Sequence, residues 1–226
     1  MNFVSRGFRG RKRDVDADPS RVPPGQYVTE DFPVLSAGPT PHTPLDEWTF
    51  SIVDGFPVLS AGPTPHTPLD EWTFAIEDET TQLRTWSWEQ FRALPSEDIR
   101  VDIHCVTKWS KLDTTWVGVS IDTLLEGVEH HATHVLAISE GDYTTNLPLE
   151  DVLDGQAWVA FAYDGQPLEA EHGGPARLLV PHLYFWKSAK WVRGLRLMDH
   201  DEPGFWESYG YHIYGDPWRE QRYAGD

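Results

Sequence analysis

The chain has 226 residues, 39% hydrophobic and 13% aromatic, a composition that packs a core and excludes a disordered polymer. Its 36 acidic and 18 basic residues leave a formal charge of −18, which repels nucleic acid and sets it aside as a partner. A single cysteine excludes an intrachain disulfide, a Cys-based zinc site, an iron–sulfur cluster and a C-x-x-C-H haem attachment, so no haem is expected.

Residues 1–30 are polar, with a basic start at Met1–Arg13 and then Pro19, Pro23, Pro24 and Gly25. They read as a loose N-terminal arm. The basic start lacks the apolar run of a signal peptide, and no stretch nears the roughly 20 apolar residues of a membrane span. We therefore expect a cytoplasmic protein. Asp is abundant and Lys scarce, which suits a surface adapted to high salt, where screening removes self-repulsion.

Phe32–Phe50 (FPVLSAGPTPHTPLDEWTF) recurs unchanged as Phe56–Phe74. Two identical copies cannot fill one structural slot, and solenoids need about three units. The second copy runs directly into the rest of the chain, so residues 31–55 are expected to hold the surplus copy and residues 56–226 the folded domain.

Trp72–Ile76 alternates as a strand does. Ser87-Trp-Glu-Gln90 is a capping box for a short helix that Pro95 stops. Ile99, Val101, Ile103 and Cys105 alternate with Arg100, Asp102 and His104, which predicts a half-buried strand with Cys105 on its apolar face, leading into a polar, aromatic loop. Ser120 caps a helix to Leu125, His134–Ser139 is a strand, and Pro148–Leu153 a short helix. Asp164-Gly165 turns a hairpin after Ala157–Ala162. Arg177–Val180 and Val192–Leu197 are further strands. Many short strands with few, short helices predict an α+β fold with a strand-rich core, not a doubly wound or barrel fold.

Two stretches carry chemistry. Cys105 lies at a strand end beside His104 and Lys108, cations that would favour a thiolate able to ligate a soft metal. Taken alone, a lone cysteine is more often a buried small hydrophobe. In Glu171–Arg177 (EHGGPAR) and the following His182–Trp191, two glycines and a proline suggest a turn with exposed N–H groups. Arg177, Lys187 and Lys190 concentrate positive charge against the sign of the whole chain, which suits a phosphate-bearing ligand. Singly, each reads as a salt-bridge partner. His130, His131 and His134 read as a solvated turn. His200 and His212, among Trp and Tyr residues, could line a substrate mouth.

Together, HCVTKWS, EHGGPARLLVPHLYFWKSAKW and the tail motifs PGFWE, GYH and YGDPW resemble the sulfite-oxidase-like molybdopterin enzymes. The closer likeness is to their small single-domain branch, related to the catalytic subunit of bacterial methionine-sulfoxide reductase. The resemblance implies that family's mixed-sheet fold and a molybdenum–molybdopterin cofactor, or its tungsten analogue. It implies that Cys105 ligates the metal and that Arg177 holds the cofactor phosphate. Ser139 would touch the pterin, His172 would stand at a cofactor-binding position held by Asn or His, and Ser188, Ala189 and Lys190 would form a gripping loop. His104 and Lys187 are adjacent candidates, and Leu59–His66 would cover the pterin. Sulfite oxidases place an Arg where this chain has Trp109, so oxygen-atom transfer to or from a less anionic small molecule is expected, of sulfoxide-reducing type rather than sulfite oxidation. Electrons would be exchanged with a separate partner, in some settings a membrane subunit. Two other readings stay open here, a non-catalytic cofactor-binding module and a metal-free thiol redox protein.

Overall fold

The computed structural model describes residues 18–30, 51–53, 56–58 and 64–226. In chain order these residues form β1 (Tyr27–Val28), β2 (Ser51–Val53), β3 (Phe56–Val58), β4 (Thr73–Glu77), β5 (Gln82–Ser87), α1 (Trp88–Arg92), β6 (Glu97–His104) and β7 (Trp109–Ser120). Then come α2 (Ile121–Leu125), β8 (His134–Ser139), β9 (Thr144–Pro148), β10 (Trp158–Tyr163), β11 (Gln166–Pro167), β12 (Arg177–Leu179), β13 (Val192–Met198) and α3 (Phe205–Ser208).

A six-stranded sheet runs β1-β7-β10-β11, with β6 along the other edge of β7 and β12 on β10. A five-stranded sheet runs β5-β4-β13-β8-β9, and β2 pairs with β3. The pairings β1–β7 and β4–β13 are parallel and the rest antiparallel, so the sheets are mixed and the α+β expectation holds.

The alternation of the strands divides the interior in two. Val119, Val159, Phe161 and Leu178 face the main core. Trp116, Trp158, Ala160 and Leu179, on the intervening positions, face a second cluster that holds Ile99, Ile103, Cys105 and Trp109. Trp72 and Phe74 from the second copy of the repeat sit in the main core, with Trp72 edge-on to Trp88 at 5.1 Å and to Phe91 at 5.2 Å. A buried Phe contributes about 1.5–3 kcal/mol, and each such ring pair about 0.5–1.5 kcal/mol more. The first copy, 32–50, lies outside the described residues.

The capping box forms as expected: Gln90 N–H donates to Ser87 Oγ (3.3 Å) and Ser87 N–H to Gln90 Oε1 (2.9 Å). Asp164 and Gly165 both take positive φ, 49° and 73°, as the two-residue hairpin requires. Three expectations change. The loop expected after Cys105 is only the short turn through Lys108, and from Trp109 the chain runs on as the long strand β7. Its buried Ser110, Thr114 and Ser120 hid the hydrophobic alternation, and their hydroxyls bond internally, Thr114 Oγ1 to Val101 O at 2.5 Å and Ser120 Oγ to Thr123 Oγ1 at 2.9 Å. Pro148–Leu153 shortens to a single tight turn, Leu149–Asp151. Residues 18–30, expected as loose arm, are docked. Tyr27 N–H donates to Lys108 O (2.9 Å) and Thr29 N–H to Ser110 O (2.8 Å), while Arg21 binds Asp102 (2.6 Å) and Asp113 (2.8 Å). The β7 edge left open beyond β10 offers unpaired backbone groups, and this segment satisfies them.

Candidate functional site

Cys105 directly follows β6 and opens the turn into β7. Its N–H donates to Trp109 O (2.8 Å), and Lys108 N–H returns to Cys105 O (3.0 Å), with Lys108 in the left-handed region at φ 76°. The alternation that buries Ile99 and Ile103 carries Cys105 to the same face, where it is 7% exposed. Thr107 Oγ1 donates to Sγ at 3.1 Å. Burial pushes the thiol up, while the Thr107 hydrogen bond and the Arg222 charge oppose this. His104 is buried against Ser110 Oγ (2.9 Å), and burial brings it down to about 4, so it is neutral at pH 7.

The glycine turn holds Arg177 rather than a ligand. His172 N–H and Gly174 N–H both donate to Glu169 O, and Gly173 N–H donates to Ala170 O (3.0 Å), so the expected exposed N–H groups are spent internally. A Cβ on Gly174 would lie 2.1 Å from Leu168 O, so only glycine permits this packing. Arg177, on the site-facing side of β12, donates to His172 O and Ser188 O, each at 2.8 Å, and lies 4.1 Å over the Phe185 ring. Burial pulls its guanidinium down to about 9.

Loop 181–191 is drawn to the end of β6 by a bridge between His104 and Tyr184. Ser188 Oγ accepts from Val180 N–H (2.9 Å), Ala189 O accepts from Leu178 N–H (2.8 Å), and Lys190 Nζ donates to Glu171 O (2.8 Å). Burial, then the nearby Arg177 charge, brings Lys190 down to about 7. Lys187 points elsewhere. Its ammonium is fully buried on Glu207 Oε1 (2.6 Å), Asn146 Oδ1 (2.8 Å) and O (2.9 Å), and Ile213 O (2.7 Å). With every donor so engaged, the expected cofactor contact is replaced by an internal ion pair.

Cys105, Arg177 and Lys190 are thus brought together from distant parts of the chain. Trp109 packs with Cys105 and lies edge-on to Phe185 at 6.0 Å, and Phe185 lies under Arg177. A thiolate at Cys105 would favour the charged form of Lys190. Ser139 joins the same neighbourhood, since it pairs with Val192 and Glu140 N–H donates to Trp191 O (2.9 Å), next to Lys190. The histidine candidates scatter. His200 sits exposed on Asp199 and Glu79, and His212 Nδ1 accepts from Tyr214 and Gly215 N–H. Of Leu59–His66, residues 59–63 lie outside the described residues.

These groups fit a molybdopterin. The Ser139 hydroxyl is buried with no hydrogen-bond partner among the described residues. Lys190 Nζ bonds a backbone carbonyl, Glu171 O, and burial pulls both its ammonium and the Arg177 guanidinium down. An orphan donor and two desolvated cations match a polar heterocycle with an anionic phosphate, and the buried thiol is a soft ligand. Sequence reasoning missed Gln26, Thr107, Tyr184 and Arg222 around Cys105. Thr107 alone carried a signal, its hydroxyl two residues from the thiol.

The model of the oxidoreductase molybdopterin binding domain matches residues 61–206, and the chain belongs to this family of molybdopterin-dependent oxidoreductases. It is 40% identical over 222 residues to the oxidoreductase YuiH of Bacillus subtilis (strain 168), covering 97% of this chain and 100% of that protein. Over 154 residues it is 28% identical to the protein-methionine-sulfoxide reductase catalytic subunit MsrP of Gluconobacter oxydans (strain 621H), spanning 57% of this chain but only 49% of that relative. The crystal structure of the sulfane dehydrogenase SoxCD from Paracoccus pantotrophus superposes with a TM-score of 0.54 at 23% identity, over 61% of this chain and 40% of that one, which shows the shared fold.

Proposed function

We propose that this molybdopterin-dependent enzyme performs oxygen-atom transfer, reducing a small sulfoxide-type substrate in preference to oxidising sulfite, with Cys105 as the thiolate ligand. The observation that carries the reading is the contact path Cys105–Trp109–Phe185–Arg177, which joins the lone thiol to the desolvated guanidinium. When bound, the cofactor supplies a metal that moves one oxygen atom and two electrons, so that X=O with two electrons and two protons gives X and water.

The chain's own residues prepare that site. Cys105 gives up its Sγ proton on ligation, since thiols bind metals as thiolates. Arg177 and Lys190 receive the phosphate, the Ser139 O–H meets the pterin, and His172 and the Ser188–Ala189 backbone shape the loop. Trp109, 3% exposed, sets an apolar indole beside the thiol and helps exclude water. An anionic substrate such as sulfite would want a cation there. The name of the methionine-sulfoxide reductase relative points the same way. Electrons come from a separate partner, the location is cytoplasmic, and tungsten could serve the same ligands. A metal-free thiol role fits less well, because burial raises Cys105, whereas sensor thiols are exposed and acidic.

Turnover with a reduced dye and a panel of sulfoxides, set against sulfite with an oxidised acceptor, tests this reading. Sulfoxide-dependent dye oxidation without sulfite turnover is expected, and the reverse pattern would refute it.

A further inference from the structure

The carbonyl of Cys105 accepts a second hydrogen bond, from Gln26 Nε2 at 3.1 Å, across 79 positions of sequence. Gln26 Oε1 in turn faces Ser110 Oγ at 3.5 Å, and Ser110 Oγ meets His104 Nδ1 at 2.9 Å. A carbonyl can only accept, so Nε2 is fixed on Cys105 and Oε1 on Ser110. A carboxamide of this length meets both needs. The segment is locked from the other end of the chain. Arg222, 7% exposed, donates to the Tyr184 hydroxyl and to Pro24 O (3.4 Å), and its guanidinium lies 5.1 Å over the Tyr184 ring. Tyr184 is itself bridged to His104. At Gly25, φ +69°, a Cβ would lie 3.1 Å from Glu220 Oε1, so residues 24–27 and 220–222 close on each other beside Cys105.

We propose that Gln26 is a positioning residue of the metal centre. Its carboxamide fixes the Cys105 backbone, and so the direction of Sγ, while Arg222 and Tyr184 hold the Gln26 segment in place. The N-terminal segment 18–30 then belongs to the active site, although it precedes the matched family region, which begins at residue 61. The proposal rests on Cys105 being the metal ligand. Partners one shell beyond a ligand set its orientation, and their loss costs about 10–100-fold in activity or metal affinity.

The test compares parent, Gln26→Glu, Gln26→Met and Cys105→Ser, each purified as full chain from a host that makes the cofactor. Metal and pterin content, the thiolate-to-metal charge-transfer absorption, and kcat and KM are read for each. Gln26→Glu keeps the shape but removes the donor, and Gln26→Met removes it without adding charge. Both are expected to shift the absorption band and to lower kcat or metal occupancy about 10–100-fold, with KM little changed. If Gln26→Glu fails to fold, Gln26→Met decides. Parental band, occupancy and kcat in the folded Gln26 variants would overturn the proposal. A parent whose band survives Cys105→Ser would instead overturn the ligand assignment beneath it, and the two failures are thereby told apart.

Discussion

The Lys187 ammonium lies 2.6 Å from the Glu207 carboxylate, and both side chains are 1% exposed. Trp186 Nε1 donates to the same carboxylate oxygen at 2.9 Å, so the pair pins α3 to the turn that precedes Ser188–Lys190. Burial pulls Lys187 below the ordinary lysine range, and Glu207 opposes the shift. Removing one partner strands the other charge in the core.

Glu207→Leu alone is therefore expected to cost about 3–5 kcal/mol, read as a lower denaturation midpoint. Lys187→Met with Glu207→Leu should recover part of that loss, because no charge is left unpaired, although Trp186 Nε1 and the Asn146 and Ile213 oxygens lose their partners. A single variant as stable as the parent would contradict the pairing.

Ser139 makes the opposite kind of prediction. Its buried hydroxyl has no partner among the described residues, so Ser139→Ala should leave the stability of the cofactor-free chain unchanged or raise it slightly. Pterin retention after gel filtration should fall in the same variant. Destabilisation with full retention would show that the hydroxyl serves the protein and not the cofactor.

Lys190 predicts a pH dependence. Its folded value of about 7 lies below the ordinary 10.5, so between these values the unfolded chain binds more protons and stability rises with pH. Below about 7 the full penalty of the buried charge is present. Lys190→Met should therefore stabilise the cofactor-free protein at pH 6, with the gain fading toward pH 10. Pterin binding should weaken as pH rises above 7, because the neutral amine no longer attracts phosphate. Denaturant melts across that range check the first statement, and equilibrium dialysis the second.

The repeat gives a fourth prediction. Trp72 and Phe74 of the second copy are core residues, so deletion of residues 32–55 should leave a chain at least as stable as the parent. A large fall in the midpoint would mean that the first copy fills the slot.

The sequence showed much of the site because its parts are local. The two-residue period from Ile99 to Cys105 placed the thiol on the apolar face, and the Gly-Gly-Pro-Ala-Arg run placed Arg177 on a strand after a tight turn. What escaped was set by distant contacts or by direction. β7 hides its period behind buried hydroxyls. Gln26 reaches Cys105 only through the docking of β1, which nothing near Gln26 announces. Lys187 stands beside Ser188 in sequence, but the short turn Phe185–Lys187 directs its side chain into the core toward Glu207. Proximity along the chain said nothing of that direction.

The most direct test of the central claim is metal and pterin analysis of the purified parent beside Cys105→Ser. Near-stoichiometric molybdenum or tungsten with pterin in the parent, and metal lost or its spectrum altered in the variant, is the predicted result. Equal metal content and an identical spectrum in both, or a parent without metal from a host that makes the cofactor, would contradict the assignment of Cys105 as the ligand.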